Sequence, residues 1–106
     1  MTSNRILDET MSERSMTLTV SQPMLVRDAV MFVRATLRYA ADITVEQEYS
    51  LQADGKSGLA LLALNASPGD ALRIIARGED ASQAIAALEA VYDTEVEGWL
   101  GVPRGA

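Results

Sequence analysis

With 106 residues, 48% apolar but only 5% aromatic, the chain has room for one hydrophobic core, built mainly from Leu, Val, Ile, Ala and Met. Nine basic against fifteen acidic residues give a formal charge of -6, which opposes non-specific binding to nucleic acid. The absence of Cys and His excludes disulfides, thiolate metal sites and any imidazole ligand, base or phosphoryl acceptor.

Residues 1–14 are polar, carry Asp8, Glu9 and Glu13, and lack the apolar run of a secretion signal, so they are expected to form a flexible tail. The stretch from Gly58 to Gly69 is too short to cross a bilayer. The expectation is a cytoplasmic protein that engages neither membrane nor nucleic acid.

Between Ser15 and Ser21, Met16, Leu18 and Val20 alternate with hydroxyl residues, predicting a strand with one buried face that Pro23 ends. From Leu25 to Ala41 the period changes. Val26, Ala29, Val30, Val33, Leu37 and Ala40 fall at helical spacing and predict one buried face, which Phe32 extends. Ile43, Val45 and Tyr49 alternate in a second strand, and Leu51 to Ala53 return before the Asp54-Gly55 turn. Ser57 to Asn65 fits a buried strand or a short helix; its Ala and Leu content favours the helix, with Ser57 as cap. Leu72, Ile74 and Ala76 mark a fourth strand. A last helix follows Gly78, capped near Asp80 or Ser82, with Ala81, Ala84, Ile85, Leu88, Val91 and Tyr92 on its apolar face. Gly98 and Pro103 limit it, and Trp99 lies beyond its pattern. The order β-α-β-β-α-β-α predicts an α+β open-faced β-sandwich, with a four-stranded, mostly antiparallel sheet and helices on one face.

Three segments in this order resemble the histidine-containing phosphocarrier (HPr) family of the bacterial sugar phosphotransferase system. The helix start Pro23-Met24-Leu25-Val26-Arg27-Asp28-Ala29 is similar to the family's G-[LI]-H-[AT]-R-P-A. Lys56-Ser57, closed by Pro68-Gly69-Asp70, resembles its K-S-[IL] segment and G-D turn. Ala76 to Ala81 resembles its A-x-G-x-D-E. The resemblance implies an HPr-like domain over residues 15–100, with flexible tails at 1–14 and 101–106.

It also implies a loss. The family's phosphoryl-accepting histidine falls on Leu25, which has no lone pair to attack phosphorus. Arg27 matches the family's arginine, and Asp28 replaces its proline. As an alternative acceptor Asp28 is weak, because no metal-binding carboxylate cluster accompanies it. Ser57 matches the serine that HPr kinase phosphorylates in some bacteria. Read by itself, its hydroxyl caps a helix; the two roles coexist in the family. Gly58 follows where the family has a branched aliphatic residue.

Met24, Leu25, Arg27, Ser57, Leu59 and Leu62 are the expected partner-binding residues, since the resemblance places both helix starts on one surface. Leu61 is a further candidate for its apolar patch. Arg34 and Arg38 share a stripe with Arg27 and read first as solvated residues pairing with Glu46 or Glu48. Glu89, Asp93 and Glu97, with Glu95 nearby, read as a solvated face. No catalytic residue, metal site or cofactor is expected.

The expected function is a non-enzymatic, HPr-like regulatory module acting by protein contact. It would resemble the catabolite-repression homologues, which also lack the histidine. Its partner would be a phosphotransferase-type enzyme, HPr kinase or a transcriptional regulator, and the chain itself a monomer or homodimer. The alternatives are a phosphocarrier using another acceptor, and a structural or oligomerisation module that swaps its first strand.

Overall fold

A computed structural model describes residues 12–47, 51–94 and 100–101, the last two and 91–94 by backbone alone. The elements are β1 (Glu13–Val20), α1 (Val26–Thr36), β2 (Asp42–Gln47), β3 (Gln52–Asp54), α2 (Gly58–Leu64), β4 (Ala71–Arg77), α3 (Ala81–Thr94) and β5 (Leu100–Gly101). The first seven follow the expected α+β order. All strand pairings are antiparallel, in the order β3-β2-β4-β1-β5.

Period two builds the sheet. Register places Leu18 beside Leu72, and Val45 and Met16 on either side of Ile74. One face therefore presents Leu18, Val20, Ile43, Val45, Leu72, Ile74 and Ala76 to the helices, forming one core with Phe32, Leu61, Leu64, Ala84, Ile85 and Leu88. The opposite face carries ion pairs, Arg77 Nε to Glu13 Oε1 at 2.8 Å and Arg73 to Glu46 at 3.9 Å. Ile75 lies on that face between Ser15 and Thr44, yet it is buried, a consequence of its place in the central strand.

Several boundaries differ from expectation. β1 begins at Glu13 rather than 15, because Glu13 pairs with Arg77 both in the ladder and by charge, so Glu13 and Arg14 leave the expected tail. β5, which the alternation did not foretell, pairs Leu100 with Val20 and Gly101 with Thr19, taking Gly101 from the second tail. α1 stops at Thr36 instead of running to 41. There the Thr36 hydroxyl lies 2.8 Å from the Gly55 carbonyl oxygen, and the chain turns so that the Asp80 carboxylate accepts the Ala40 and Ala41 amides, each at 2.8 Å. Asp80 does begin α3, its carbonyl accepting the Ala84 amide, but its side chain joins two loops. The readings of residues 1–11, Glu48, Tyr49, Glu95, Glu97, Gly98, Trp99 and 102–106, and of the Val91, Tyr92 and Asp93 side chains, lie outside what is described.

The α1–β2 and β4–α3 loops meet closely. Gly78 has φ 147°, and a Cβ built there would stand 2.8 Å from the Ala41 Cα, a separation that backbone cannot relieve cheaply. Gly78→Ala is expected to lower stability by about 3 kcal/mol, read from the urea midpoint at unchanged m-value.

Candidate functional site

The α1 helical face differs most from the sequence expectation. Ala29, Phe32 and Thr36 are its buried residues, whereas Val26 is 67% exposed, Val30 49% and Leu37 62%. Helical spacing marks more apolar positions than the sheet can cover, and the core takes a stripe centred on Phe32. Val26 and Val30 face the α1–α2 side instead. There, with Val33, Gly58, Leu59 and Leu62, they line an open apolar groove of about 350 Å³, bordered by Arg34.

At its α1 end, Leu25 occupies the N-cap position and is 54% exposed, with no capping side chain of its own. Asp28 supplies half of the missing cap. Its Oδ2 accepts the Leu25 amide at 2.8 Å, placing a carboxylate in the first helical turn where the macrodipole favours it. Arg27 is exposed, and Met24 is half-buried against the core. Among the described residues, no ion pair joins Arg27, Arg34 or Arg38; Glu46, one of their expected partners, is paired with Arg73 instead.

At the α2 end, the Ser57 hydroxyl accepts the Ala60 amide at 3.2 Å, as a cap should, and is half-buried. Leu59 is 83% exposed and Leu62 half-buried, while Leu61, a candidate for the patch, is 2% exposed and belongs to the core. A seven-residue helix shows one face to the sheet, and Leu61 and Leu64 are on it. The loop before α2 is tied to the loop after α1: Lys56 Nζ donates to the Tyr39 carbonyl at 2.7 Å, half-buried.

The structure therefore brings Leu59 and Leu62 together with Val26 and Val30, and puts Leu25, Arg27 and Ser57 at the starts of the two helices that form the groove. Val26 and Val30, expected in the core, are exposed and line the groove, whereas Val33 lines it while also packing against the core; the excess width of the α1 apolar arc is the available signal for the first two. Among the described residues, no group of three or more His, Cys, Asp or Glu side chains is placed to hold a metal ion, and no helix is long and apolar enough to cross a membrane.

Comparison with known proteins agrees with this geometry. Residues 12–94 match the family described as "PTS HPr component phosphorylation site". The HPr-like protein Crh of Bacillus subtilis (strain 168) is 33% identical over 70 residues, covering 66% of this chain and 81% of Crh. The multiphosphoryl transfer protein of Rhodobacter capsulatus is 42% identical over 59 residues, 56% of this chain but 7% of that much longer protein. Among solved structures, the phosphocarrier protein HPr of Bacillus anthracis str. Ames superposes with a TM-score of 0.65 at 28% identity, covering 74% of this chain and 95% of its own. Crh from Bacillus subtilis, described as an intertwined swapped dimer, gives 0.59 at 26% identity, covering 76% and 90%. On fold, on family pattern over residues 12–94 and on its likeness to Crh, the chain belongs to the HPr family.

Proposed function

We propose that this protein is a regulatory HPr homologue that carries no phosphohistidine and acts by docking a protein partner on its α1–α2 surface. The observation that carries the reading is that a member of this family has no histidine anywhere in its sequence. By the motif match, Leu25 stands where relatives carry the phosphoryl acceptor. An exposed hydrocarbon at that place serves contact and offers no nucleophile. The exposed apolar groove beside it supports the same reading, since contiguous apolar surface of this kind marks interaction sites. Met24, Leu25, Arg27, Ser57, Leu59 and Leu62 are the residues assigned to the contact, and a phosphotransferase-system enzyme, HPr kinase or a transcriptional regulator is the partner. The protein is placed in the cytoplasm, where such partners act.

Ser57 is the proposed point of control. Phosphorylation would put nearly two negative charges at the start of α2, where helix amides tolerate them, beside a surface bearing Arg27 and Arg34. Incubation with HPr kinase and ATP is expected to add one phosphate, abolished by Ser57→Ala and detected by intact mass. Enzyme I with phosphoenolpyruvate is expected to add none. Acid-labile phosphate in that second reaction would instead establish a carrier using another acceptor.

A second reading, an oligomerisation module, draws on the likeness to Crh. Light scattering across protein concentration decides it: a mass that doubles, independent of Ser57 phosphorylation, favours the module over the regulator.

A further inference from the structure

Leu25 is one departure from the family motif at the start of α1; Asp28 is a second, and the structure gives it a specific place. Asp28 is half-buried in the first turn, and its Oδ2 sits 2.8 Å from the Leu25 amide nitrogen. That amide is one of the donors with which a helix start holds an anion. Here it is already taken, by an anion built into the chain. The nearest cation in sequence, the exposed Arg27, forms no ion pair with Asp28 among the described residues.

We propose that Asp28 is a specificity-determining residue that closes the start of α1 to phosphoryl and other anionic groups, independently of the missing nucleophile at Leu25. The inference deepens the reading above and rests on it only for the position of Leu25. The carboxylate oxygen sits 2.8 Å from the amide nitrogen of residue 25, so the side chain of that residue springs from backbone held directly against a carboxylate. A dianionic phosphoryl group arriving there meets repulsion and finds the Leu25 amide unavailable. The groove's partner accordingly brings an uncharged or cationic group to this corner. Restoring a nucleophile at Leu25 does not by itself restore a phosphoryl site.

The test needs no partner protein, so its outcome is separate from whether a partner is ever found. Leu25→His introduces an imidazole as probe, in the full chain, with and without Asp28→Asn. Asparagine keeps an acceptor for the Leu25 amide and removes only the charge; Asp28→Ser, a neutral residue that also accepts hydrogen bonds, is the second control. Proton NMR titration is expected to give an imidazole pKa about one unit higher in Leu25→His than in Leu25→His/Asp28→Asn, since a nearby carboxylate favours imidazolium. Arg27 is common to both and drops out of the difference.

Phosphoramidate then supplies the phosphoryl group. The imidazole nitrogen attacks phosphorus, the donor's P–N bond breaks, and ammonia leaves with the imidazole proton. At pH 8, where the ring is largely neutral, phosphoimidazole followed by phosphorus NMR is expected to form about tenfold more slowly in Leu25→His than in either charge-neutral double variant. Equal imidazole pKa values together with equal rates, in proteins with matching amide spectra, would overturn the proposal. So would double variants that take up no phosphate.

Discussion

Leu59→Glu is expected to weaken partner binding about 30-fold or more while leaving stability within about 0.5 kcal/mol of the wild type. The two effects separate because Leu59 is 83% exposed: it contributes little to the core and sits on the outer wall of the groove. A carboxylate there must be desolvated on docking, and the apolar contact it replaces is lost, each at a cost of kilocalories when an interface closes over it. Surface-plasmon titration with the partners proposed above measures the first effect, and thermal unfolding the second. Val30→Glu, on the facing wall, is expected to behave alike. Arg73→Glu, on the ion-paired opposite face of the sheet, is the control that should leave binding unchanged. Undiminished binding by Leu59→Glu would remove the groove from the interface.

Asp80→Ala is expected to lower stability by about 3 kcal/mol, a large part of what a domain of this size possesses. Both carboxylate oxygens are used, on the Ala40 and Ala41 amides at 2.8 Å each, across 40 and 39 residues of chain. Hydrogen bonds to a charged group contribute roughly 1.5–3 kcal/mol each, and the alanine variant leaves the half-buried Ala41 amide without its acceptor. Asp80→Asn keeps one acceptor oxygen and is expected to lose about half as much. Urea unfolding gives the magnitudes. Hydrogen exchange gives the location, with the Ala40 and Ala41 amides losing protection first.

β1 and β2 were legible because each has one wet and one dry face, so Leu18, Val20, Ile43 and Val45 declare themselves by alternation; Leu72 and Ile74 do so in β4 although Ile75 is buried on its other face, and the two-residue β5 offers no alternation to read. α2 and its Ser57 cap were legible from composition: the Ala and Leu run after Gly58 favours a helix, and a hydroxyl just before it suits the cap. α1 was misjudged in its face. Thr36 is polar, yet it is 1% exposed because its hydroxyl reaches Gly55, nineteen residues away, a contact that no local period encodes. Val26 and Val30 are apolar yet exposed, because a helix beside a small sheet has more apolar width than the sheet can cover. That misjudgement falls on the groove: Val26 and Val30, predicted for the core, line it instead. Asp28 was legible as a departure from the motif at the helix start, but its bond to the Leu25 amide depends on a side-chain rotamer and appears only in three dimensions.

The bonds from Thr36 to Gly55 and from Lys56 to the Tyr39 carbonyl fasten the end of α1 and the loop that follows it to the loop that launches α2. Two walls anchored to each other in this way do not need to be ordered by a ligand. Association should therefore carry the signature of rigid bodies meeting: a negative heat-capacity change from apolar burial, with little of the opposing entropy that accompanies coupled folding. Loosening the fastening, by Lys56→Met for instance, is expected to enlarge that opposing entropy in calorimetry of the proposed complex without changing any residue of the groove.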